Sequence, residues 1–285
     1  MHTLKNNQKN VKITTKDFLV TGESFDLLID PNRDMLITSP QPRAEDLAKY
    51  YESDAYISHT DSKAGFMASV YQNVKKYSLA LKLRLILTLN GSRGLLLDIG
   101  AGTGDFLKLA KENGWDVFGV EPNDGARNLA KQKNLEIYET MDRLSGQTFD
   151  VVTLWHVLEH LPDLEVITQQ IESLIKPGGT LIVAVPNFKS FDAKYYKNYW
   201  AAYDTPRHLW HFSKTAMDQI FSSSMTLVKI KPMIFDSFYV SLLSQKYKSG
   251  KSFSIKALLV GLWSNISALN SKESSSHIYC YKKNI

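Results

Sequence analysis

Three groups of residues in this chain have types and spacings that can do chemistry. The first is Asp98-Ile99-Gly100-Ala101-Gly102-Thr103-Gly104-Asp105, an apolar run that ends in a loop of three glycines. Glycine is needed where a backbone must turn sharply and lie against a ligand, because a Cβ would block the approach. The spacing of Gly100, Gly102 and Gly104 departs from the G-x-G-x-x-G of dinucleotide sites. Asp105 holds the place of the third fingerprint glycine, where its carboxylate would repel a pyrophosphate. With Asp98 adding a second negative charge, the loop suits a ligand that has no phosphate and carries a cationic centre. Glu121 ends a second apolar run, Val117-Phe118-Gly119-Val120, about 20 residues after the loop, where a carboxylate can accept both hydroxyls of a ribose.

The second group, His156-Val157-Leu158-Glu159-His160, spells H-x-x-E-H, which on a continuous helix would be a zinc-hydrolase motif. Pro162 lies two residues beyond it and an apolar strand precedes it, so a metal-binding helix is not expected and no metal ligand is assigned. Glu159 and His160 also suit a plainer role as hydrogen-bonding ties of a loop. The third group is Arg207, His208 and His211, set among tyrosines and tryptophans between Tyr199 and Ser213. An arginine and two histidines on irregular backbone suit a pocket that grips a polar or anionic molecule and removes a proton. His208 or His211 would be the base and Arg207 the anchor, with His156 and His160 as the reserve candidates. Loop anchoring by burial of the aromatics is the competing reading.

Such groups need a scaffold that delivers them to one edge. From Leu95 to Val185 short apolar strands (95–99, 116–120, 135–139, 149–155 and 180–185) alternate with helical stretches (105–113, 124–133 and 164–175). The last helix is expected to end at Lys176-Pro177-Gly178-Gly179. Apolar runs of this length, punctuated by helices, belong to a parallel sheet covered on both faces, an open doubly wound α/β fold. In such sheets ligands bind at the carboxyl ends of the strands, where the glycine loop would lie. Residues 64–90 read as a helical lead-in. The alternation is interrupted at 187–212 and at 235–274, and it resumes with a helix at 213–222 and strands at 227–233 and 276–281.

At this point the chain resembles a class I S-adenosylmethionine-dependent methyltransferase. Asp98 to Gly104 matches the family's first motif, and Gly119-Val120-Glu121-Pro122 its acidic second motif. Phe149-Asp150-Val151-Val152 with Leu158-Glu159-His160 matches the fourth-strand region, and Leu174 to Gly179 the stretch before strand five. The resemblance implies a seven-stranded sheet with the last strand antiparallel, S-adenosylmethionine as the cofactor, and acceptor-binding insertions at 187–212 and 235–274. It places Asp98, Gly100, Ala101, Gly102, Gly104, Glu121, Pro122 and Trp155 in the donor site, with Thr140 and Met141 near the adenine. Quinone-ring O-methyltransferases carry Glu-x-x-Glu-His where this chain has His156 to His160, and His156 in place of the first Glu puts an associated divalent ion in doubt. Residues 25–56 resemble the zinc-ribbon module that precedes the catalytic domain in some bacterial methyltransferases. Asp30 and Arg33 stand where that module has thiolates, so residues 1–60 are expected to form a metal-free remnant with a hairpin across 30–34, ahead of a methyltransferase domain at 61–285.

Composition sets the outer limits. Across 285 residues, 34 basic and 29 acidic side chains give +5, with 44% hydrophobic residues, the profile of a folded globular protein. The only cysteine, Cys280, excludes an intrachain disulfide framework, and neither a signal sequence nor an apolar run long enough to span a bilayer is visible. These features lead to the expectation of a cytoplasmic protein. Residues 229–285 carry nine lysines against Asp236 and Glu273, and 253–269 has apolar residues at Ile255, Leu258, Leu259, Leu262, Ile266 and Leu269. That helix is expected to pack its apolar face on the catalytic domain, and docking on a membrane surface is the alternative. The expected partner is a small-molecule acceptor, a sugar, a lipid or quinone precursor or another metabolite, methylated on O, N or C. No nucleic-acid-binding module is recognisable. The rival from another class is a non-catalytic nucleotide-metabolite-binding or membrane-associated module, and the oligomeric state is left open.

Overall fold

The computed structural model describes residues 11–43, 46, 48–50, 66–251 and 253–285. Five strands alternate with helices through the centre of the chain: β4 (Leu95–Ile99), β5 (Asp116–Val120), β6 (Glu136–Tyr138), β7 (Phe149–Trp155) and β8 (Ile175–Pro186). With β10 (Met225–Pro232) and β11 (Ser276–Lys283) they form a seven-stranded sheet in the order β10-β11-β8-β7-β4-β5-β6. The five central strands run parallel, and β11 is antiparallel to both β8 and β10. From β4 the chain moves outward to β5 and β6 and then returns to lay β7 on the other side of β4. The crevice at this reversal, between the carboxyl ends of β4 and β7, is where doubly wound sheets bind ligands.

Both faces of the sheet are buried, and residue parity decides which face each side chain covers. Leu97, Ile99, Val152, Leu154, Leu181 and Val183 share one cluster with Leu164, Ile171 and Met217. Leu96, Val151, Ile182 and Cys280 share the other with Leu85, Ile86, Phe106 and Leu107. The helices that supply those covers are α1 (Phe66–Asn90), α2 (Asp105–Glu112), α3 (Asp124–Lys131), α4 (Leu164–Ser173) and the short α6 (Lys214–Gln219), whereas α5 (Phe191–Tyr196) packs away from this sheet.

The expected strand boundary at 180–185 is corrected: β8 begins at Ile175, with Lys176 to Gly179 as a bulge against β7. Gly178 at φ 75° provides the left-handed turn that lets the strand recover its register. Residues 44–51, which read as helical in the sequence, lie half outside the described residues, and Ala48–Tyr50 forms one 3-10 turn.

The N-terminal segment forms a second sheet. Strands β1 (Val11–Lys16), β2 (Ser24–Asp30) and β3 (Met35–Ser39) make an antiparallel meander, and the fourth strand, β9 (Trp210–His211), comes from the insertion after β8. At the β2–β3 turn, where the ribbon resemblance would need thiolates, the Asp30 carboxylate instead accepts the N–H groups of Asn32 and Arg33 at 3.0 and 3.2 Å. Leu27 and Leu36 of this sheet pack with Tyr196, Trp200 and Tyr203 of the insertion and with Val240 and Val260 of α7 (Asp236–Ser249) and α8 (Ile255–Ser271). The insertion at 187–212 is therefore a buried partner of the N-terminal sheet rather than an open loop.

Candidate active site

The glycine loop joins the end of β4 to α2. Gly100, Gly102 and Gly104 all have positive φ, at 74°, 53° and 79°. A Cβ on Gly100 would stand 2.3 Å from Val157, so the glycine is needed there for packing. At Gly102 a Cβ would meet nothing within 4 Å, which leaves open space over the loop backbone. Glu121, at the end of β5, fixes this loop: one carboxylate oxygen accepts the Gly102 N–H at 2.8 Å and the other the Asn123 N–H at 2.9 Å. Asp98 is buried and accepts from the Thr153 hydroxyl at 2.6 Å. Burial and the nearby Glu121 charge push its pKa up to about 7, against the opposing effects of Thr153 and Lys82. Ala101 belongs to the same loop, and Pro122 directly follows Glu121. Thr140 and the buried Met141 follow β6 on the same edge, and Trp155 closes β7.

One premise of the sequence reading is corrected. Asp105 does not add negative charge to the loop, because Lys133 and Lys75 reach its two oxygens at 2.5 and 2.6 Å. Burial works against the carboxylate, but the two lysines outweigh it and hold its pKa below the usual range. The cluster has more positive than negative charge, so repulsion by Asp105 does not decide between cofactor classes.

Lys82 of α1 was not singled out by its sequence context, yet it enters the site. Its ammonium lies 4.2 Å from the centroid of the Trp155 ring, whose plane is met edge-on by Phe106. Burial pushes the Lys82 pKa down, and the charges of Asp98 and Asp236 resist that shift only in part. The buried indole N–H of Trp155 has no hydrogen-bond partner among the described residues. A lysine within an amphipathic helix carries no sequence signal that distinguishes it from its solvated neighbours.

His156 follows β7 at φ 59°, a backbone conformation that costs energy for a non-glycine residue. Its Nε2 is 2.9 Å from Asp236 of α7 and its Nδ1 3.3 Å from Glu159. Burial disfavours its charge, but the two carboxylates prevail and raise its pKa to about 10. It is a fixed imidazolium rather than a base. The H-x-x-E-H string forms no zinc-hydrolase helix, since only Leu158–His160 makes a single 3-10 turn. His160 donates from Nδ1 toward the Arg207 carbonyl at 3.1 Å, and burial together with His208 lowers its pKa to about 4. Glu159, His160 and His208 bring one ligand atom each to within 4.8 Å of one another, and one oxygen of Glu159 is buried without a hydrogen-bond partner among the described residues.

The expected acceptor anchors are corrected. Arg207 is 1% exposed, and its guanidinium is committed to Asp17 at 2.9 Å, to Asp204 at 2.7 and 3.0 Å, and to the Tyr50 carbonyl at 2.9 Å. No face of it is left for a substrate anion; it ties the N-terminal segment to the insertion. His211 is buried, with Nε2 3.0 Å from the Thr38 hydroxyl, and burial with the nearby His208 holds its pKa well below the usual value. That hydroxyl donates to the His208 carbonyl at 2.6 Å, so it receives the His211 N–H. His208 is also buried and bonds the Ala202 carbonyl through Nδ1 at 2.9 Å. These residues anchor the loop, and a wide depression of about 780 Å³ at Leu95, Asp116 and Glu136 lies at the opposite, amino-terminal end of the strands.

The sequence profile of the methyltransferase domain family matches residues 71–224, more than half of the chain. The chain belongs to this family. Ubiquinone biosynthesis O-methyltransferase of Coxiella burnetii is 34% identical to this chain over 116 residues, which cover 37% of this chain and 49% of that protein. The enzyme of the same name from Saccharophagus degradans is 30% identical over 102 residues, covering 32% and 43%. The chain thus spans about half the length of the curated relatives it matches. The crystal structure of a mycolic acid cyclopropane synthase complexed with SAH and CTAB superposes on this chain with a TM-score of 0.51 at 13% identity, over 72% of this chain and 84% of its own, which establishes a shared fold. No helix among the described residues is long and apolar enough to cross a membrane.

Proposed function

We propose that this protein transfers a methyl group from S-adenosylmethionine to a small-molecule acceptor. The observation that carries the reading is the glycine loop, with open space over Gly102 and the Glu121 carboxylate beside it. Asp98, Gly100, Ala101, Gly102, Gly104, Glu121 and Pro122 would hold the donor, with Thr140 and Met141 around its base and Trp155 where donor and acceptor meet. When bound, S-adenosylmethionine supplies an electrophilic methyl group on a sulfonium. The carboxylate of Glu121 retains lone pairs beyond those taken by Gly102 and Asn123, so it can accept ribose hydroxyls.

On the acceptor side Lys82, Trp155, His156 and Asp236 converge beyond the ends of β4 and β7. The His156 imidazolium, fixed by Asp236 and Glu159, attracts a polar or anionic acceptor and keeps its proton at neutral pH. Lys82, desolvated and seated on an aromatic face rather than on a carboxylate, is the group poised to take a proton from the nucleophile. An oxygen nucleophile is favoured because two of the relatives this chain resembles are named O-methyltransferases. Positioning donor and acceptor in line supplies much of the rate in such a transfer.

Titration calorimetry with S-adenosylhomocysteine tests the donor. Binding that disappears in Gly102→Val supports the reading, and tighter binding of NAD than of S-adenosylhomocysteine overturns it. A screen of hydroxylated aromatic, lipid-like and sugar acceptors for S-adenosylhomocysteine formation then identifies the acceptor class.

A further inference from the structure

Helix α8 is turned inside out relative to an ordinary surface helix. Its inward face is made of small or short residues: Ala257, Val260, Gly261, Ser264 and Ala268 are buried. A Cβ on Gly261 would stand 2.9 Å from the Phe238 Cα, so α7 and α8 approach as closely as their backbones allow. The large apolar residues point outward. Ile255, Leu259, Leu262, Trp263, Ile266 and Leu269 are between 45% and 74% exposed, on the stripe that a 3.6-residue period aligns. This corrects the expectation that the apolar face packs on the catalytic domain.

The exposed surface extends past α8. Asn265 bonds the Ile234 carbonyl at 3.0 Å, bringing the stripe beside exposed Ile234 and Phe235, and Phe235 meets exposed Tyr77 of α1 edge-on at 5.9 Å. The next residue, Asp236, holds His156. A contiguous apolar face of this kind marks an interaction site. Its surroundings are strongly basic: between Asp236 and Glu273 the sequence has five lysines, Lys246, Lys248, Lys251, Lys256 and Lys272, and no acidic residue.

We propose that this face docks on an anionic phospholipid surface, with the α8 stripe entering the headgroup boundary and the lysines pairing with lipid phosphates. The arrangement of an outward apolar stripe, an exposed tryptophan and flanking lysines fits the requirements of an interfacial helix. A second copy of this chain fits poorly, because a two-fold contact across α8 would set each copy's lysines against the other's, with no acidic residue between Asp236 and Glu273 to compensate. The location next to His156 brings the mouth of the site to the lipid boundary, where an acceptor with an apolar tail resides. The docking itself does not depend on the methyl-transfer reading.

Co-sedimentation with mixed phosphatidylcholine–phosphatidylglycerol vesicles, set against pure phosphatidylcholine vesicles, tests the proposal on the full chain. Binding to the mixed vesicles is expected, falling with added salt, together with a blue shift of tryptophan emission that is absent in Trp263→Phe. Leu259→Glu with Leu262→Glu should weaken vesicle binding at least about tenfold. Neutralising Lys246, Lys248, Lys251 and Lys256 to Gln should weaken it on the order of a hundredfold. Unchanged S-adenosylhomocysteine affinity and melting temperature in these variants separate a docking defect from misfolding, because every substituted residue is exposed. Absence of binding to the mixed vesicles, or binding unaffected by the two leucine substitutions, overturns the proposal. So does a dimer in sedimentation velocity that Leu259→Glu dissociates, which would assign the face to a second copy.

Discussion

The glycine loop and the insertion after β8 are built differently. On the donor side the contacts are local: Gly102 and Glu121 are 19 residues apart, and Glu121 reaches Asn123 within its own turn. In the insertion they span most of the chain, with Arg207 bonded to Asp17 and to the Tyr50 carbonyl, and Thr38 to His211. A binding loop held by its own βαβ unit can be exposed without weakening the fold. The insertion has no such unit, and it acquires order by sharing a sheet and a buried ion-pair hub with the N-terminal segment. Residue types that suggest chemistry, an arginine and two histidines, are spent there on architecture.

The sharpest way to break that contrast is Arg207→Ala. It leaves the Asp17 carboxylate buried and Asp204 without its guanidinium, and a loss of about 3–5 kcal/mol is expected in denaturant unfolding. The folded fraction should bind S-adenosylhomocysteine as before. Arg207→Ala with intact stability and lost acceptor affinity would restore Arg207 to the binding role. Next in size, Lys82→Met should lower turnover roughly 10²-fold and flatten the acidic limb of the pH–rate profile, with donor affinity changed only slightly. Wild-type turnover in this variant would place the base elsewhere on the acceptor side. On the donor side, Glu121→Ala should weaken S-adenosylhomocysteine binding by about 1–3 kcal/mol in calorimetry. A stability loss as large as that of Arg207→Ala would erase the distinction between the two regions.

The smallest effect concerns pH. His156, raised from 6.5 to about 10 in the folded chain, contributes its stabilisation fully below pH 6.5 and loses it as pH rises toward 10. His160 and His277, both lowered by burial to about 4, act in the opposite sense: their stabilisation is full above pH 6.5 and is lost as pH falls toward 4. Melting temperature should therefore peak near pH 6.5 as far as these groups determine it. Asp236→Asn should lower the neutral-pH stability by about 1 kcal/mol and make the alkaline decline shallower. An unchanged alkaline limb would show that His156 is not held as an imidazolium.

The parallel strands, the helices between them and the glycine loop were legible because each is encoded in a short window. Apolar runs of strand length, glycines at the turn and a carboxylate one strand later need no knowledge of distant residues. The resemblance carried by those same residues supplied the topology and the cofactor class, and the family comparison agrees with both. Strand β1 went unrecognised because Val11 to Lys16 is mostly polar and exposed and takes its place only by pairing with β2. Asp105 was misjudged because its charge is compensated by Lys75 of α1 and by Lys133 in the turn after α3. Helix α8 shows the limit of periodicity, which identifies an apolar stripe but not which side faces the protein. Close packing against α7 through Gly261 fixed that choice.

By itself, then, the sequence determined the elements, the ligand loop and its acidic partner, since local stereochemistry and hydrophobic periodicity suffice for them. Only the tertiary structure decided which titratable groups are free to act. Burial and charge pairing are set by whatever the fold brings alongside, and here that made Arg207 and His211 into anchors, His156 into a fixed cation and Lys82 into a desolvated amine beside Trp155.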